Sequence, residues 1–198
     1  MHEFCRRVLG GEAAAAGAAL EARSGVSTER IELLTAAARA CRARADAPDA
    51  DRGATAEGAT GDLGLSAAVA RELAHANGAL PERQREALAL RELLRLSYEQ
   101  ISQVMGVEAA AVAALLARGR LALRVQRRGA TPQTGPECAQ HERALRVLAH
   151  RQDSEPLSGE DDRWMLDHLG VCPRCIAAHA AMLEASACYR AWRTEVVR

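Results

Sequence analysis

Residues 96–128 contain the pattern that most restricts the fold of this chain. In "LSYEQISQVM", Ser97 precedes a run with helical apolar spacing and Gln100 follows three residues later, which is the signature of a helix N-terminal capping box. Gly106 interrupts the run, and "EAAAVAALLARGRLALRVQRR" resumes it. Two helices joined by a short turn that contains glycine form a helix-turn-helix, so we expect this motif in the middle of the chain.

The composition favours helices along the whole chain. Alanine, leucine, arginine and glutamate are abundant, whereas aromatic residues make up only 3% of the sequence, so we predict an all-α fold. The formal net charge is zero, so any contact with nucleic acid has to come from a local patch. No apolar run approaches the length of a membrane span, and we expect a cytoplasmic protein that does not contact the membrane.

Two stretches with few large apolar residues divide the chain. Residues 46–64 are rich in Asp, Gly, Ala and Thr, and residues 129–136 are rich in Gly, Pro and Thr, so both are predicted linkers. They separate an N-terminal unit (1–45), a middle unit (65–128) and a C-terminal unit (137–198). The N-terminal unit holds two short helical patterns that bury little by themselves, so it is either an incomplete domain or packs against the other units.

A longer register of residues surrounds the helix-turn-helix. It consists of Leu80-Pro81, Arg85, Leu88, Leu90-Arg91-Glu92, the stretch "LSYEQISQVMGV", Val112, Leu116, Arg118 and Arg120. With this register the middle unit resembles region four of extracytoplasmic-function sigma factors. The resemblance implies a four-helix domain that binds the RNA polymerase core and promoter DNA, and therefore a regulator of transcription initiation.

The N-terminal unit resembles a shortened region two of the same family. Region two carries aromatic side chains and helps to open the promoter, but no aromatic residue occurs here between Phe4 and Tyr98. An unstacked base needs such a ring to stack on. A self-inhibited or anti-sigma-like regulator without promoter-opening activity is therefore the alternative to a sigma-factor-like regulator.

The second helix of the motif is poor in side chains that read DNA bases. Family members commonly carry threonine, lysine, serine and arginine where this chain has Ala111, Ala113, Ala114 and Leu115. Alanine cannot form the bidentate hydrogen bonds that discriminate bases, so contacts to DNA phosphates remain. We predict such contacts at Ser97, Tyr98, Arg118, Arg120 and Arg124. The alternatives are that the arginines form a solvated helix terminus and that a partner or the C-terminal unit covers this apolar helix.

The stretch "HLGVCPRC" places one histidine and two cysteines at metal-ligand spacing. His168 and Cys172 are four residues apart, and a tight turn joins Cys172 to Cys175. We predict Cys138 as the fourth ligand, with His141 as its rival. Three thiolates and one imidazole favour Zn²⁺ in a closed site, with no open position for a hydrolytic water. A redox dithiol is the alternative, but no strand precedes the two cysteines as in thioredoxin-like proteins.

The same four residues resemble the zinc-finger domain of anti-sigma factors. The resemblance implies a small zinc-binding three-helix domain that depends on its metal for stability, and a further sigma or anti-sigma factor as a partner. Some relatives release zinc when their thiols are oxidised, so redox sensing and a purely structural metal both stay open. The sequence contains no nucleophile–base pair and no phosphate loop, so we expect no enzymatic activity.

Overall fold

The computed structural model describes residues 1–10, 14–15, 18–19, 30–45, 66–129 and 136–192. Every regular secondary-structure element in these ranges is a helix, which confirms the predicted all-α fold. The predicted linker 46–64 and residues 130–135 of the second predicted linker lie outside the described residues.

The helices are grouped here by the predicted unit in which each lies. The N-terminal unit contributes α1 (His2–Leu9) and α2 (Arg30–Ala45). The middle unit contains α3 (Ala67–Gly78), α4 (Glu82–Leu88) with a π-helical turn (Ala89–Leu93) after it, α5 (Tyr98–Met105) and α6 (Ala109–Arg128). The C-terminal unit contains α7 (His141–Asp153), α8 (Gly159–Val171) and α9 (Pro173–Ala191).

Local side-chain contacts form the helix-turn-helix as predicted. The Gln100 backbone N–H donates to Ser97 Oγ at 3.2 Å, and the Ser97 backbone N–H donates to Gln100 Oε1 at 3.0 Å, so the capping box at the start of α5 is complete. Gly106 ends this helix with φ of 64°, a left-handed conformation that glycine adopts without strain. Helix α6 then leaves at 96° to α5, which confirms the motif.

The core of the motif uses the apolar positions that the sequence indicates. At most 2% of the surface of each of the following residues is exposed: Ile101, Val104, Met105, Val112 and Leu116. Helices α4 and α6 pack closely because Gly119 lies at their contact. A Cβ atom at this position would lie only 3.2 Å from Leu88 Cδ1, so the Leu88 side chain would have to shift by a few tenths of an ångström to admit alanine.

The N-terminal unit packs against the middle unit. Helix α1 contacts α2, α3 and α4, and α2 also contacts α5. An ion pair of 2.5 Å joins Arg42 on α2 to the fully buried Glu86 on α4. Burial raises the pKa of Glu86, and the charge of Arg42 opposes this shift. The ion pair therefore stabilises the ionised form of a buried carboxyl group.

Helix α1 also holds the end of the C-terminal unit. The Arg7 guanidinium lies 4.7 Å from the ring centre of Tyr189 and 4.3 Å from that of Trp192. It donates hydrogen bonds to the backbone carbonyls of both residues. Cation–π contacts and charged hydrogen bonds therefore join the first helix of the chain to the last.

Helix α6 is the central element, since it packs against α3, α4 and α5 of the middle unit and also against α7 and α9 of the C-terminal unit. Among the described residues no single helix is long and apolar enough to cross a membrane. Within the described part of the chain, only the bent pair of α5 and α6 has the combined length and apolar composition of a membrane span, and this pair is the helix-turn-helix itself.

Candidate nucleic-acid interface and metal centre

One face of α6 lies against the C-terminal unit. Ala113, Ala117, Arg120 and Arg124 occur at the spacing that places side chains on a single helical face. Both alanines are fully buried, while Arg120 and Arg124 contact carboxylates of the C-terminal unit. Small side chains let helices approach closely, so part of the alanine content that makes α6 poor at reading bases serves packing within the chain.

A buried ion cluster joins the middle unit to the C-terminal unit. The Nη2 atom of Arg120, whose side chain is fully buried, donates to Glu92 Oε1 at 2.6 Å and to Asp153 Oδ1 at 2.7 Å. The Tyr98 hydroxyl donates to the second oxygen of Asp153 at 2.7 Å. Asp153 belongs to the C-terminal unit and the other three residues to the middle unit, so the cluster crosses the boundary between them.

The charge of Arg120 determines how Asp153 titrates. Burial by itself would raise the pKa of Asp153, but the charge of Arg120 and the hydrogen bonds from Arg120 and Tyr98 outweigh burial and hold this pKa below its ordinary value. Burial and the neighbouring Asp153 raise the pKa of Tyr98, so its hydroxyl keeps the proton that it donates. Asp153 is therefore ionised at neutral pH, while the Tyr98 hydroxyl stays protonated.

The lowered pKa of Asp153 predicts a specific loss of stability in acid. The native ion cluster contributes stability above the ordinary carboxyl pKa of about 4 and loses it as the pH falls through the lower native pKa. We expect the wild-type chain to be more stable than Asp153→Asn at pH 7 and the difference to shrink below about pH 4. Urea unfolding of both chains between pH 3 and pH 7 measures this, and a difference that stays constant with pH would contradict it.

A second carboxylate of the C-terminal unit lies at the start of α5. Glu155 Oε1 accepts a hydrogen bond of 3.2 Å from the Tyr98 backbone N–H and one of 2.9 Å from Arg91 Nη1. The first backbone N–H groups of a helix have no partner within the helix and attract anions. Glu155 therefore occupies an anion position beside Ser97 and Tyr98, two of the predicted phosphate contacts.

Two further carboxylates pair with arginines of α6. Glu142 lies 2.6 Å from Arg118 in an exposed ion pair, and Glu184 lies 3.1 Å from Arg124 and 2.9 Å from Arg128. The four acidic residues Glu142, Asp153, Glu155 and Glu184 are called the carboxylate face from here on.

The predicted phosphate contacts differ in how accessible they are in this conformation. Tyr98 and Arg120 are enclosed by the ion cluster, and Ser97 caps α5. Arg118 keeps 55% of its side-chain surface exposed and Arg124 keeps 17%. Contact with DNA phosphates stays a prediction for all five residues, and in the closed arrangement Tyr98 and Arg120 are not available for it.

Sequence reasoning missed the carboxylate face because nothing local reveals it. Arg118 and Glu142 are 24 positions apart, and Arg124 and Glu184 are 60 positions apart. Acidic residues on exposed helices are common, so only the packing of α7 and α9 against α6 identifies these as partners of the arginines.

The predicted metal ligands come together at one end of the C-terminal unit. Cys138 lies in the turn before α7, His168 lies in the last turn of α8, and Cys172 and Cys175 lie at the start of α9. Their ligand atoms all lie within 4.8 Å of one another, so the group could hold a metal ion. The stretch "ECAQHERALRVLAHRQ" predicts a helix that already includes Cys138, but α7 begins only at His141.

The distances among the donor atoms of Cys138, His168 and Cys175 fit a tetrahedral ion. A Zn–S bond of about 2.3 Å and a Zn–N bond of about 2.0 Å predict about 3.8 Å between two sulfurs and about 3.5 Å between sulfur and nitrogen. The observed separations are 3.9 Å from Cys175 Sγ to Cys138 Sγ, 3.5 Å from Cys138 Sγ to His168 Nε2, and 3.3 Å from His168 Nε2 to Cys175 Sγ. The soft donor set is the one that zinc prefers.

Neighbouring side chains hold the donor atoms in place. The His168 ring stacks on Trp164 with 4.9 Å between ring centres, and the Arg143 guanidinium lies 4.2 Å from the centre of the Trp164 ring. His141, the rival ligand, has its Nδ1 atom 3.5 Å from Cys175 Sγ. Hydrogen bonding from the backbone N–H of Cys175 lowers the pKa of Cys172, which favours the thiolate that a metal needs.

Comparison with known proteins assigns the middle of the chain. No curated protein and no solved structure matches the chain. Residues 70–123 match the family model described as Sigma-70, region 4. This segment runs from within α3 through most of α6 and contains the complete helix-turn-helix. The middle unit is therefore similar to region 4 of the sigma-70 family.

Proposed function

We propose that this protein is a sigma-factor-like regulator of transcription initiation that its own C-terminal unit holds in a closed state. The middle unit associates with the RNA polymerase core and with promoter DNA, as befits a sigma-70 region 4. Zn²⁺ bound by Cys138, His168, Cys172 and Cys175 holds the C-terminal unit together. The observation that carries the proposal is the contact of α7 and α9 with the arginine-bearing face of α6.

Zinc acts here as a structural cross-link. It ties the turn before α7 to the junction between α8 and α9, and thereby fixes the two helices that pack against α6. A three-helix unit of this size buries too little apolar surface for a stable fold of its own, so its metal has a large share in positioning both helices.

Part of the middle unit favours the second candidate, a regulator without promoter-opening activity. At the start of α6, where a reading helix carries polar side chains, Ala110 and Ala111 are exposed and offer no hydrogen bonds to base edges. Such a protein would act by binding polymerase or another sigma or anti-sigma factor, and not by selecting a promoter.

Association with core RNA polymerase tests the proposal. Purified full-length chain, either zinc-loaded or stripped of metal with a chelator, is passed over immobilised core polymerase. We expect at least about tenfold tighter binding after metal removal, because loosening the C-terminal unit exposes α6, and a return to weak binding when zinc is added back. Absence of binding in both states would contradict the sigma-factor-like regulator and would leave only a regulator that binds another sigma or anti-sigma factor.

Run-off transcription on fragmented genomic template then separates the two candidates. Discrete transcripts that depend on the added chain support the sigma-factor-like regulator. Polymerase binding without any such transcript supports the regulator that does not open promoters.

A further inference from the structure

The predicted phosphate contacts of the middle unit coincide with the carboxylate face of the C-terminal unit. Glu142 pairs with Arg118, Asp153 with Arg120 and Tyr98, Glu155 with the N-terminus of α5, and Glu184 with Arg124. Each of these predicted phosphate contacts therefore already has a carboxylate as its partner, and every one of these carboxylates belongs to the C-terminal unit.

We propose that the carboxylate face mimics the phosphates of a DNA backbone, so that the C-terminal unit and duplex DNA compete for the same groups of the middle unit. The inference rests on the proposed function, because it identifies duplex DNA as the ligand whose binding groups the C-terminal unit occupies in the closed state. Carboxylate and phosphate oxygens accept the same charged hydrogen bonds from arginine and the same backbone N–H groups at a helix start.

The contact at the start of α5 carries the inference furthest. Glu155 is a side chain from another unit, and only 12% of its surface is exposed. It accepts from a backbone N–H and from Arg91 together, an arrangement of donors suited to a single anion. In a helix-turn-helix bound to DNA, backbone N–H groups at helix starts and arginine side chains contact phosphates and position the protein.

Arginines on α6 provide the remaining contacts with the carboxylate face. Arg118 and Arg128 are more than half exposed, and Arg124 lies between them along the helix. Among the described residues, Glu184 pairs with both Arg124 and Arg128, and its carboxylate also lies 3.9 Å from Arg127. Three guanidinium groups around one carboxylate leave positive charge that a more highly charged polyanion would neutralise better.

The experiment replaces the three carboxylates of the carboxylate face other than Asp153 by their neutral amides in the full-length chain. Glu142→Gln, Glu155→Gln and Glu184→Gln keep the side-chain shapes and leave the buried Asp153 in place. Binding to a fluorescein-labelled 20-base-pair duplex of mixed sequence is followed by fluorescence anisotropy between 50 and 300 mM NaCl.

The control variant carries the same charge change on another surface. Glu160→Gln, Asp162→Asn and Asp167→Asn lie on α8, where Glu160 and Asp162 pair with Arg143 and Arg151 of their own unit. Since any added positive charge strengthens DNA binding somewhat, only a gain beyond that of the control counts.

We expect the test variant to bind the duplex at least about tenfold more tightly than the control at 100 mM NaCl, with a steeper salt dependence. Each newly neutralised phosphate adds about 0.9 to the slope of log K against log salt, so three released sites predict an increase of roughly 2 to 3. Adding Arg118→Gln, Arg124→Gln and Arg128→Gln to the test variant should remove most of the gain, because only the site that Glu155 vacates at Arg91 and the start of α5 remains.

Two outcomes overturn the mimicry. The test variant could bind no better than the control, or its gain could persist undiminished after the three arginines are removed. Association with core polymerase, measured on the same preparations, decides the proposed function separately. A chain that binds polymerase but fails the DNA test keeps the proposed function and loses the mimicry.

Discussion

Replacing Cys172 and Cys175 together by serine is expected to abolish stoichiometric zinc binding and to unfold the C-terminal unit. Both thiols belong to the four-residue donor group, and serine hydroxyls are poor ligands for zinc. In domains of this size the free energy of metal binding is largely folding free energy, with apparent values of about 10–16 kcal/mol for isolated zinc fingers. We expect a smaller loss for this unit, about 5 kcal/mol, because its packing against α6 contributes stability that does not depend on the metal.

Metal analysis and thermal unfolding of the full-length chain measure this loss. Cys188→Ser is the matched control, since Cys188 lies on the same helix outside the donor group and its sulfur accepts a hydrogen bond from Arg127. The control should keep one zinc per chain and nearly the wild-type melting temperature. Wild-type protein without stoichiometric metal, or a double variant that melts like the control, would refute the proposed zinc centre.

Replacing Arg120 by methionine is expected to cost about 3–5 kcal/mol of stability. Arg120, Glu92 and Asp153 are all fully buried as side chains, so the substitution leaves two carboxylates without their shared cation. Glu92 then keeps Arg190 at 2.5 Å and Asp153 keeps Arg91 at 3.4 Å, so the buried carboxylates lose part of their neutralising charge and the loss lies toward the lower end of this range, still above that of an exposed pair. Methionine nearly preserves the volume, so the loss reports charge and not a cavity.

Arg118→Met provides the comparison two residues away on the same helix. Its ion pair with Glu142 is more than half exposed, and exposed pairs contribute less than about 1 kcal/mol. Urea unfolding of both variants measures the contrast. Adding Glu92→Gln and Asp153→Asn to Arg120→Met should recover part of the stability. Equal losses in the two single variants would mean that Arg120 is not enclosed as described.

These experiments also separate two roles that the sequence does not distinguish for arginines on α6. Arg118, Arg120 and Arg124 were all predicted as phosphate contacts. Arg120 lies at the centre of a buried cluster, whereas Arg118 projects toward solvent. Arg120→Met should therefore act mainly on folding, and the loss of Arg118 should act mainly on the affinity for DNA.

The sequence by itself determined the helix-turn-helix. Ser97, Gln100 and Gly106 act through neighbours only a few positions away, so the capping box and the left-handed turn follow from local chemistry. The apolar spacing of α5 and α6 likewise predicted which residues are buried. The residue types and spacing of His168, Cys172 and Cys175 indicated a metal site, because the three residues are close enough along the chain to share one ion.

Only the tertiary structure decided what covers α6. In the sequence alone, Ala113 and Ala117 have no evident role. In the folded chain both are buried, and α7 and α9 pack against α6. The partners of Arg120 and Arg124 in the C-terminal unit, Asp153 and Glu184, lie 33 and 60 positions further along the chain. The physical reason is that a charge pattern on one helix specifies the sign of its partner but not its position, because that position depends on how the units pack.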